Sequence, residues 1–71
     1  MTSAKKKALQ AAAAQVRALG VDLTNDYHAE VRISTAVEIA DIARAYGYRK
    51  PRHANGSLAR CFFRYLQRCC A

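Results

Sequence analysis

The side chains best suited to acid–base chemistry are grouped in one short segment, DLTNDYHAE, at residues 22–30. If this segment were a strand, His28 and Glu30 would project from the same face, where an acid and a base can share a proton. The chain has none of the motifs that usually accompany such a pair, since it lacks a glycine-rich phosphate loop, an HExxH helix and a nucleophile elbow. A chain of 71 residues also has little room for a water-excluding pocket. We therefore interpret the segment as a solvated surface, and we predict no enzymatic activity and no cofactor.

The three cysteines do not have the spacing of a metal site. Cys61 and Cys69 are eight residues apart, and Cys70 follows Cys69 directly, whereas zinc sites combine two closely spaced ligand pairs. We predict no bound metal, and we interpret Cys61 as a small core residue. An odd number of cysteines and the lack of an export signal or a long apolar run favour a reducing compartment, so we expect a cytoplasmic location.

Positive charge provides the strongest chemical signal in the sequence. Residues 1–41 contain five bases and five acids, whereas residues 42–71 contain seven bases and no acid, which accounts for the whole net charge of +7. A one-sided cationic surface attracts polyanions over long distances. Nucleic acid is the commonest polyanion of this kind, followed by an acidic protein surface and then by an anionic membrane.

The secondary-structure elements that position these charges are predicted to be three helices, which form one small, mainly α domain spanning residues 1–71. Hydrophobic periodicity predicts the helices at 4–19, 36–46 and 58–69. Gly20 and Gly47 are expected to end the first two in the left-handed conformation. The second is expected to begin with a capping box formed by Thr35 and Glu38, and Ser57 is expected to cap the third.

Residues 27–33, YHAEVRI, alternate between apolar and polar side chains. This alternation favours a short β-strand before the second helix. A strand requires a pairing partner, which would be the short segment 21–23 or the same strand of a second copy. The competing interpretation is a short helix capped by Thr24 or Asn25.

The third predicted helix has a wide apolar surface and a row of arginines. Its core stripe comprises six residues at helical spacing: Leu58, Cys61, Phe62, Tyr65, Leu66 and Cys69. Phe63 lies about 100° away from the centre of this stripe, so we assign it to a contact with a partner. Arg60, Arg64 and Arg68 recur every four residues on the opposite side, about 6 Å apart along the helix. We refer to these three residues as the arginine ladder.

With the strand interpretation, the order of elements resembles that of ribbon–helix–helix repressors, in which paired strands enter the major groove. The resemblance covers residues 27–68 and implies that His28, Glu30 and Arg32 face bases, while the Asn55-Gly56-Ser57 corner contacts the DNA backbone. This sequence departs from the pattern because its loop is longer and a whole helix precedes the strand. We therefore assign the chain to no family.

These observations predict a small nucleic-acid-binding protein, with DNA favoured over RNA, that does not bind a membrane and forms a homodimer. The predicted contact residues combine the basic loop with the third helix: Arg49, Lys50, Arg52, His53, Ser57, Arg60, Phe63, Arg64 and Arg68, with His28 and Arg32 as weaker candidates. The alternative is an inhibitor of the anti-CRISPR or anti-defence class, of the kind that phages and other mobile elements encode. Such an inhibitor would bind a host protein or nucleoprotein complex through the same basic and aromatic surface.

Overall fold

The computed structural model describes residues 4–70, which form four helices. They are α1 (Ala4–Ala18), α2 (Tyr27–Glu30), α3 (Ile33–Tyr46) and α4 (Leu58–Cys70). The mainly α prediction is confirmed, and each of the three long helices is present. None of the helices in the described range is long and apolar enough to cross a bilayer.

The core is centred on α4, which packs against α1, α2 and α3. The bulkiest fully buried side chains are Phe62, Phe63 and Leu66 from α4, Ile39 from α3 and Val16 from α1. The opposing surface of α1 is built largely from alanine, which allows the helices to pack closely. A chain of this size buries only about 60% of its unfolded surface, so α4 contributes a large share of the available hydrophobic stabilisation.

The strand prediction at residues 27–33 is wrong, and the alternative of a short helix is confirmed. No strand occurs anywhere in residues 4–70. Tyr27 and Val31 are one helical turn apart, and both pack against the core, whereas Ile33 is 89% exposed. The apparent alternation therefore reflects an i, i+4 pair. The residue that precedes α2 is Asp26, not Thr24 or Asn25.

The predicted capping box is also wrong, because α3 begins three residues earlier than expected. Arg32 is the N-cap residue, with extended backbone angles and no side-chain cap. Its carbonyl accepts a hydrogen bond from the N–H group of Ala36 at 2.8 Å. Thr35 and Glu38 consequently lie inside the helix.

The predicted end of α3 at Gly47 is confirmed, and this glycine has the left-handed conformation. Gly47 ends α3 with φ of 94°. Its N–H group donates to the carbonyls of Ala43 and Arg44, and the N–H group of Tyr48 also donates to Ala43. This pattern satisfies the last carbonyls of α3 and fixes the direction in which the chain leaves the helix.

The buried face of α4 is rotated by about 80° from the predicted stripe, at 100° per residue. The four buried residues of α4 are Ala59, Phe62, Phe63 and Leu66, whereas Cys69 is exposed. The assignment of Phe63 to a partner is therefore wrong, because its side chain is fully buried within the chain itself. The Tyr27 ring meets it edge to face, with centroids 5.3 Å apart. The rotation leaves Cys61 and Tyr65 half-buried beside the arginine ladder.

Candidate functional site

The arginine ladder lies on the side of α4 that faces away from the core. Arg64 and Arg68 are exposed and Arg60 is half-buried. Neither Arg64 nor Arg68 makes a hydrogen bond or an ion pair with any residue of the described range 4–70. Two guanidinium groups of α4 are therefore available to an external anion.

The loop between α3 and α4 is held in place by three local interactions. The Lys50 ammonium group donates to the carbonyl of Gly56 at 2.8 Å. The Ser57 hydroxyl accepts a hydrogen bond from the N–H group of Arg60 at 3.2 Å, which confirms Ser57 as the cap of α4. At Gly56, with φ of 102°, a Cβ atom would lie only 2.9 Å from Cδ of Arg60. Glycine at this position lets the Arg60 side chain lie across the loop.

The loop and the ladder enclose an open hollow of about 500 Å³, which we call the loop hollow. Tyr48, Pro51 and Asn55 line it from the loop, and the three ladder arginines line it from α4. Among residues 4–70, none of those that line it carries a carboxylate. The loop that forms this wall also carries Arg49, Lys50, Arg52 and His53, all of which are exposed. The structure thus places the loop segment against the predicted ladder, although none of these four cations is among the residues that line the hollow.

Tyr48 connects the loop hollow to the aromatic part of the core. Its ring centroid lies 5.2 Å from that of Phe62 and 5.1 Å from that of Tyr65. Burial raises the pKa of Tyr48, with a further contribution from Cys61, while the nearby Arg68 guanidinium partly opposes the shift. A tyrosine phenol is already neutral at physiological pH, and this shift moves its ionisation to still higher pH.

The pKa of Tyr65 is also raised, but for a different main reason. Interaction with the Tyr46 hydroxyl is the main cause of its raised pKa, and burial is the second. Tyr46 Oη is buried, although no atom within residues 4–70 meets strict hydrogen-bond geometry with it. The two hydroxyls are therefore adjacent without forming a hydrogen bond. They belong to an aromatic cluster formed by Tyr46, Tyr48, Phe62 and Tyr65.

A second hollow of about 430 Å³ lies on the other side of the ladder, and we call it the turn hollow. Its walls are Arg60, Arg64 and Gln67 from α4 and the segment from Thr24 to Tyr27. The Asp26 carboxylate is part of this lining, which distinguishes the turn hollow from the loop hollow. Because Arg60 and Arg64 line both hollows, the ladder lies between two chain segments.

The segment that forms the turn hollow is built from a hydrogen-bond network that sequence patterns did not reveal. Glu30 accepts hydrogen bonds from the N–H group of Asp22 at 2.8 Å and from the side chain of Asn25 at 3.0 Å. Gln67 of α4 donates to the carbonyls of Leu23 and Asn25 at 2.9 and 2.6 Å. The two Gln67 contacts join residues more than 40 positions apart, so no local signal could have predicted them.

Two other arginines are already engaged within the fold. Arg44 forms an ion pair with Asp41 at 2.9 Å, one turn away on α3. Arg17 donates to the carbonyl of Cys70 at 2.8 Å and so caps the end of α4 from α1. Their guanidinium groups stabilise helix ends or helix surfaces, which separates them from the ladder.

The weaker candidates His28 and Arg32 lose the structural basis of their assignment. Both are exposed, but without a strand they do not form a common base-reading face. The His28 ring instead lies edge-on to Tyr27, with centroids 5.6 Å apart. The departure from the ribbon–helix–helix pattern is therefore complete in this part of the chain.

An apolar patch on α3 forms a further surface feature. Ile33 and Val37 are 89% and 59% exposed. Together with Ala36, Ala40 and Leu58 they line a shallow groove of about 360 Å³. Large exposed side chains grouped in this way are characteristic of interaction surfaces.

No group of three or more potential metal-ligating side chains occurs within residues 4–70. Comparison of the chain with protein-family models, with curated proteins and with solved structures gives no match. The described residues form a small α-helical domain in which a loop that carries four cations lies beside the arginine ladder of α4. We call the exposed side of this loop and helix the cationic face.

Proposed function

We propose that this protein is a cytoplasmic, non-enzymatic nucleic-acid-binding protein whose ligand lies along the arginine ladder and the basic loop. The observation that carries the proposal is the loop hollow, where the three ladder arginines meet the Tyr48 wall and no lining residue within 4–70 carries a carboxylate. The loop that forms this wall also carries four exposed cations outside the lining. Passive protein surfaces usually mix both signs of charge. Arginine also suits phosphate groups particularly well, because its planar fork donates two parallel hydrogen bonds.

The test is a binding titration against labelled DNA and RNA over a range of salt concentrations. Double replacement of Arg64 and Arg68 with glutamine removes two charges from the ladder. If each arginine neutralises one phosphate, the slope of log affinity against log salt should become shallower by about 1.4 to 1.8. Near 0.15 M salt this corresponds to a roughly 15- to 30-fold loss of affinity.

The matched control replaces Lys5 and Lys7 with glutamine, which removes the same charge from the exposed start of α1. We expect this variant to bind within about twofold of the original protein, because neither lysine lines the loop hollow or the turn hollow and charges farther from the ligand than a Debye length of about 8 Å are screened. Equal losses in the two variants would show that net charge, and not the ladder, attracts the ligand. Failure to bind any DNA or RNA at low salt would refute the proposed function.

The second candidate function is a small inhibitor of the anti-CRISPR or anti-defence class that binds a host protein. The apolar patch favours it, because the exposed side chains of Ile33 and Val37 can be buried against the apolar core of a protein interface, whereas a polyanion offers charged groups. Val37→Glu should abolish capture of such a partner from nuclease-treated lysate, whereas Ala45→Glu, at another exposed position of α3, should not. A captured protein that is indifferent to both substitutions would exclude the patch as its docking site.

The proposed homodimer now requires a different surface from the one that the sequence indicated. Neither a strand at 27–33 nor an exposed Phe63 is present to pair two copies. The apolar patch is the remaining surface of suitable chemistry. Mass measurement in solution, with the original protein and with Val37→Glu, tests whether two copies associate through it.

A further inference from the structure

We propose that the loop hollow accepts an unpaired base, so that the ligand of the cationic face is a single-stranded polynucleotide. This inference rests on the nucleic-acid binding proposed above and adds the class of nucleic acid to it. It starts from the position of Tyr48, which is both a wall of the hollow and a part of the aromatic cluster.

The loop hollow combines the two kinds of group that single-strand binders use. Aromatic faces stack on bases, while arginines follow the phosphate backbone. Tyr48 and Pro51 provide the flat and apolar surfaces, and Arg60, Arg64 and Arg68 provide the cations. The volume of about 500 Å³ lies within the range of small-ligand sites. The hollow can therefore hold a base and leave the sugar and phosphate at its rim.

The turn hollow, on the other side of the ladder, is a poor site for the same ligand. Asp26 contributes a carboxylate to its lining, which repels phosphate. The loop hollow has no such group. The asymmetry between the two hollows directs the base to the Tyr48 side.

The stacking surface is fixed before any ligand arrives. The N–H group of Tyr48 donates to the Ala43 carbonyl at 2.9 Å, and its ring packs against Phe62 and Tyr65. Little conformational freedom remains to be lost when a base stacks on it, and preorganisation of this kind favours affinity.

The position of α4 disfavours a duplex as the ligand. A recognition helix enters the major groove with its side chains projecting freely. The ladder instead lies between the segment from Thr24 to Tyr27 and the segment from Tyr48 to Asn55, since it lines hollows shared with both. Bases in a duplex are also stacked and paired, so that none can enter a hollow without being flipped out. An unpaired strand does not require a freely projecting helix, and its bases can enter the hollow without being flipped out of a duplex.

The first experiment compares single-stranded DNA, single-stranded RNA and a duplex of the same sequence by fluorescence anisotropy. Strands of about 12 nucleotides lie within the site size of small single-strand binders. We expect at least one single strand to bind about tenfold more tightly than the duplex. Salt-dependent binding in which the duplex equals or exceeds both single strands overturns this inference, although it leaves the proposed function intact. Binding to none of the three overturns both.

The second experiment compares Tyr48→Leu with Tyr48→Phe. Leucine fills much of the same space but lacks the flat π-face, and we expect a loss of single-strand affinity of roughly tenfold. Phenylalanine keeps the face and should remain within about twofold. Tyr27→Leu is the matched control, because Tyr27 is a half-buried tyrosine that lines the turn hollow. Equal affinities for Tyr48→Leu and Tyr48→Phe overturn the inference.

A third measurement needs no variant and so remains decisive if Tyr48→Leu fails to fold. A single strand that contains 5-bromouracil is cross-linked to the unaltered protein by ultraviolet light, and the attached peptide is identified by mass spectrometry. Attachment within residues 48–55 supports the base site. Attachment confined to residues 24–27 assigns the base to the turn hollow and overturns it.

Discussion

Replacing Phe63 with leucine tests whether this side chain stabilises the fold or is reserved for a partner. The side chain is fully buried, and its ring meets that of Tyr27 with centroids 5.3 Å apart and planes inclined by 77°. Leucine retains most of the volume, so repacking should cost up to about 1.5 kcal/mol. Loss of the aromatic pair should cost about 0.5–1.5 kcal/mol more. We therefore expect the free energy of unfolding to fall by about 0.5–3 kcal/mol.

A change of this size is large for so small a protein. At about 0.05–0.15 kcal/mol per residue, the whole chain is stabilised by roughly 4–11 kcal/mol. Each kcal/mol lowers the Tm of such a domain by about 4–8 °C, so Phe63→Leu should lower the Tm by roughly 2–24 °C. Circular dichroism, with heating and with urea, measures both quantities. Val37→Ala, at a position that is 59% exposed on α3, should change stability by no more than about 0.5 kcal/mol.

A double-mutant cycle with Tyr27→Leu isolates the ring contact from the burial of Phe63. The coupling free energy should be about 0.5–1.5 kcal/mol. A Phe63→Leu protein that melts at the original temperature but no longer binds its ligand would refute the reasoning, because it would show that Phe63 serves recognition and not the core.

Two further predictions concern the segment that forms the turn hollow. Asp22→Asn should lower the Tm at neutral pH, and this difference should disappear in acid. Hydrogen bonds from the hydroxyl and then from the N–H group of Thr24 hold the pKa of Asp22 below its ordinary value. The stabilisation from these bonds is therefore present when the pH is above the ordinary pKa, and it is lost as the pH falls through the lowered pKa. A difference in Tm that is independent of pH would contradict this. Gln67→Met removes both hydrogen bonds that tie α4 to this segment and should cost about 1–3 kcal/mol. Hydrogen exchange should rise more in residues 22–26 than in α3, and a uniform increase would show that these bonds do not anchor the segment.

The three long helices could be predicted because their signals are local. Gly47 and Ser57 act within one turn of the helices that they end or begin. The same is true of the arginine ladder, whose spacing of four residues fixes its alignment along α4 whatever the rest of the chain does. These features depend on short-range geometry, and the sequence displays them directly.

The predictions that failed depend on turn and packing contacts that hydrophobic periodicity does not specify. The alternation at 27–33 suits a strand and a short helix equally well, and in the structure Glu30 accepts hydrogen bonds from Asp22 and Asn25, eight and five positions away. Phe63 is fully buried, and the ring of Tyr27, from α2, meets it edge to face. Nothing in the neighbourhood of Phe63 along the chain indicates this contact with α2.

The candidate site was predictable in its composition but not in its shape. The loop segment lies against the ladder, but its four cations are not among the residues that line the hollow. The hollow between them depends on how Tyr48 packs on Phe62 and Tyr65 and on how Lys50 is drawn towards Gly56. Both are consequences of packing, which composition and periodicity do not specify.

The concentration of the core in α4 has a consequence for synthesis on the ribosome. About 40 residues separate the end of α1 from the start of α4. At a synthesis rate of about 5–20 residues per second, α4 therefore begins to be synthesised roughly 2–8 s after α1 is complete. During this interval the inward face of α1 is mainly Ala12, Ala13 and Val16, which exposes little apolar area to other nascent chains. An alanine-rich first helix is therefore suited to a protein that acquires its core only when its last helix emerges.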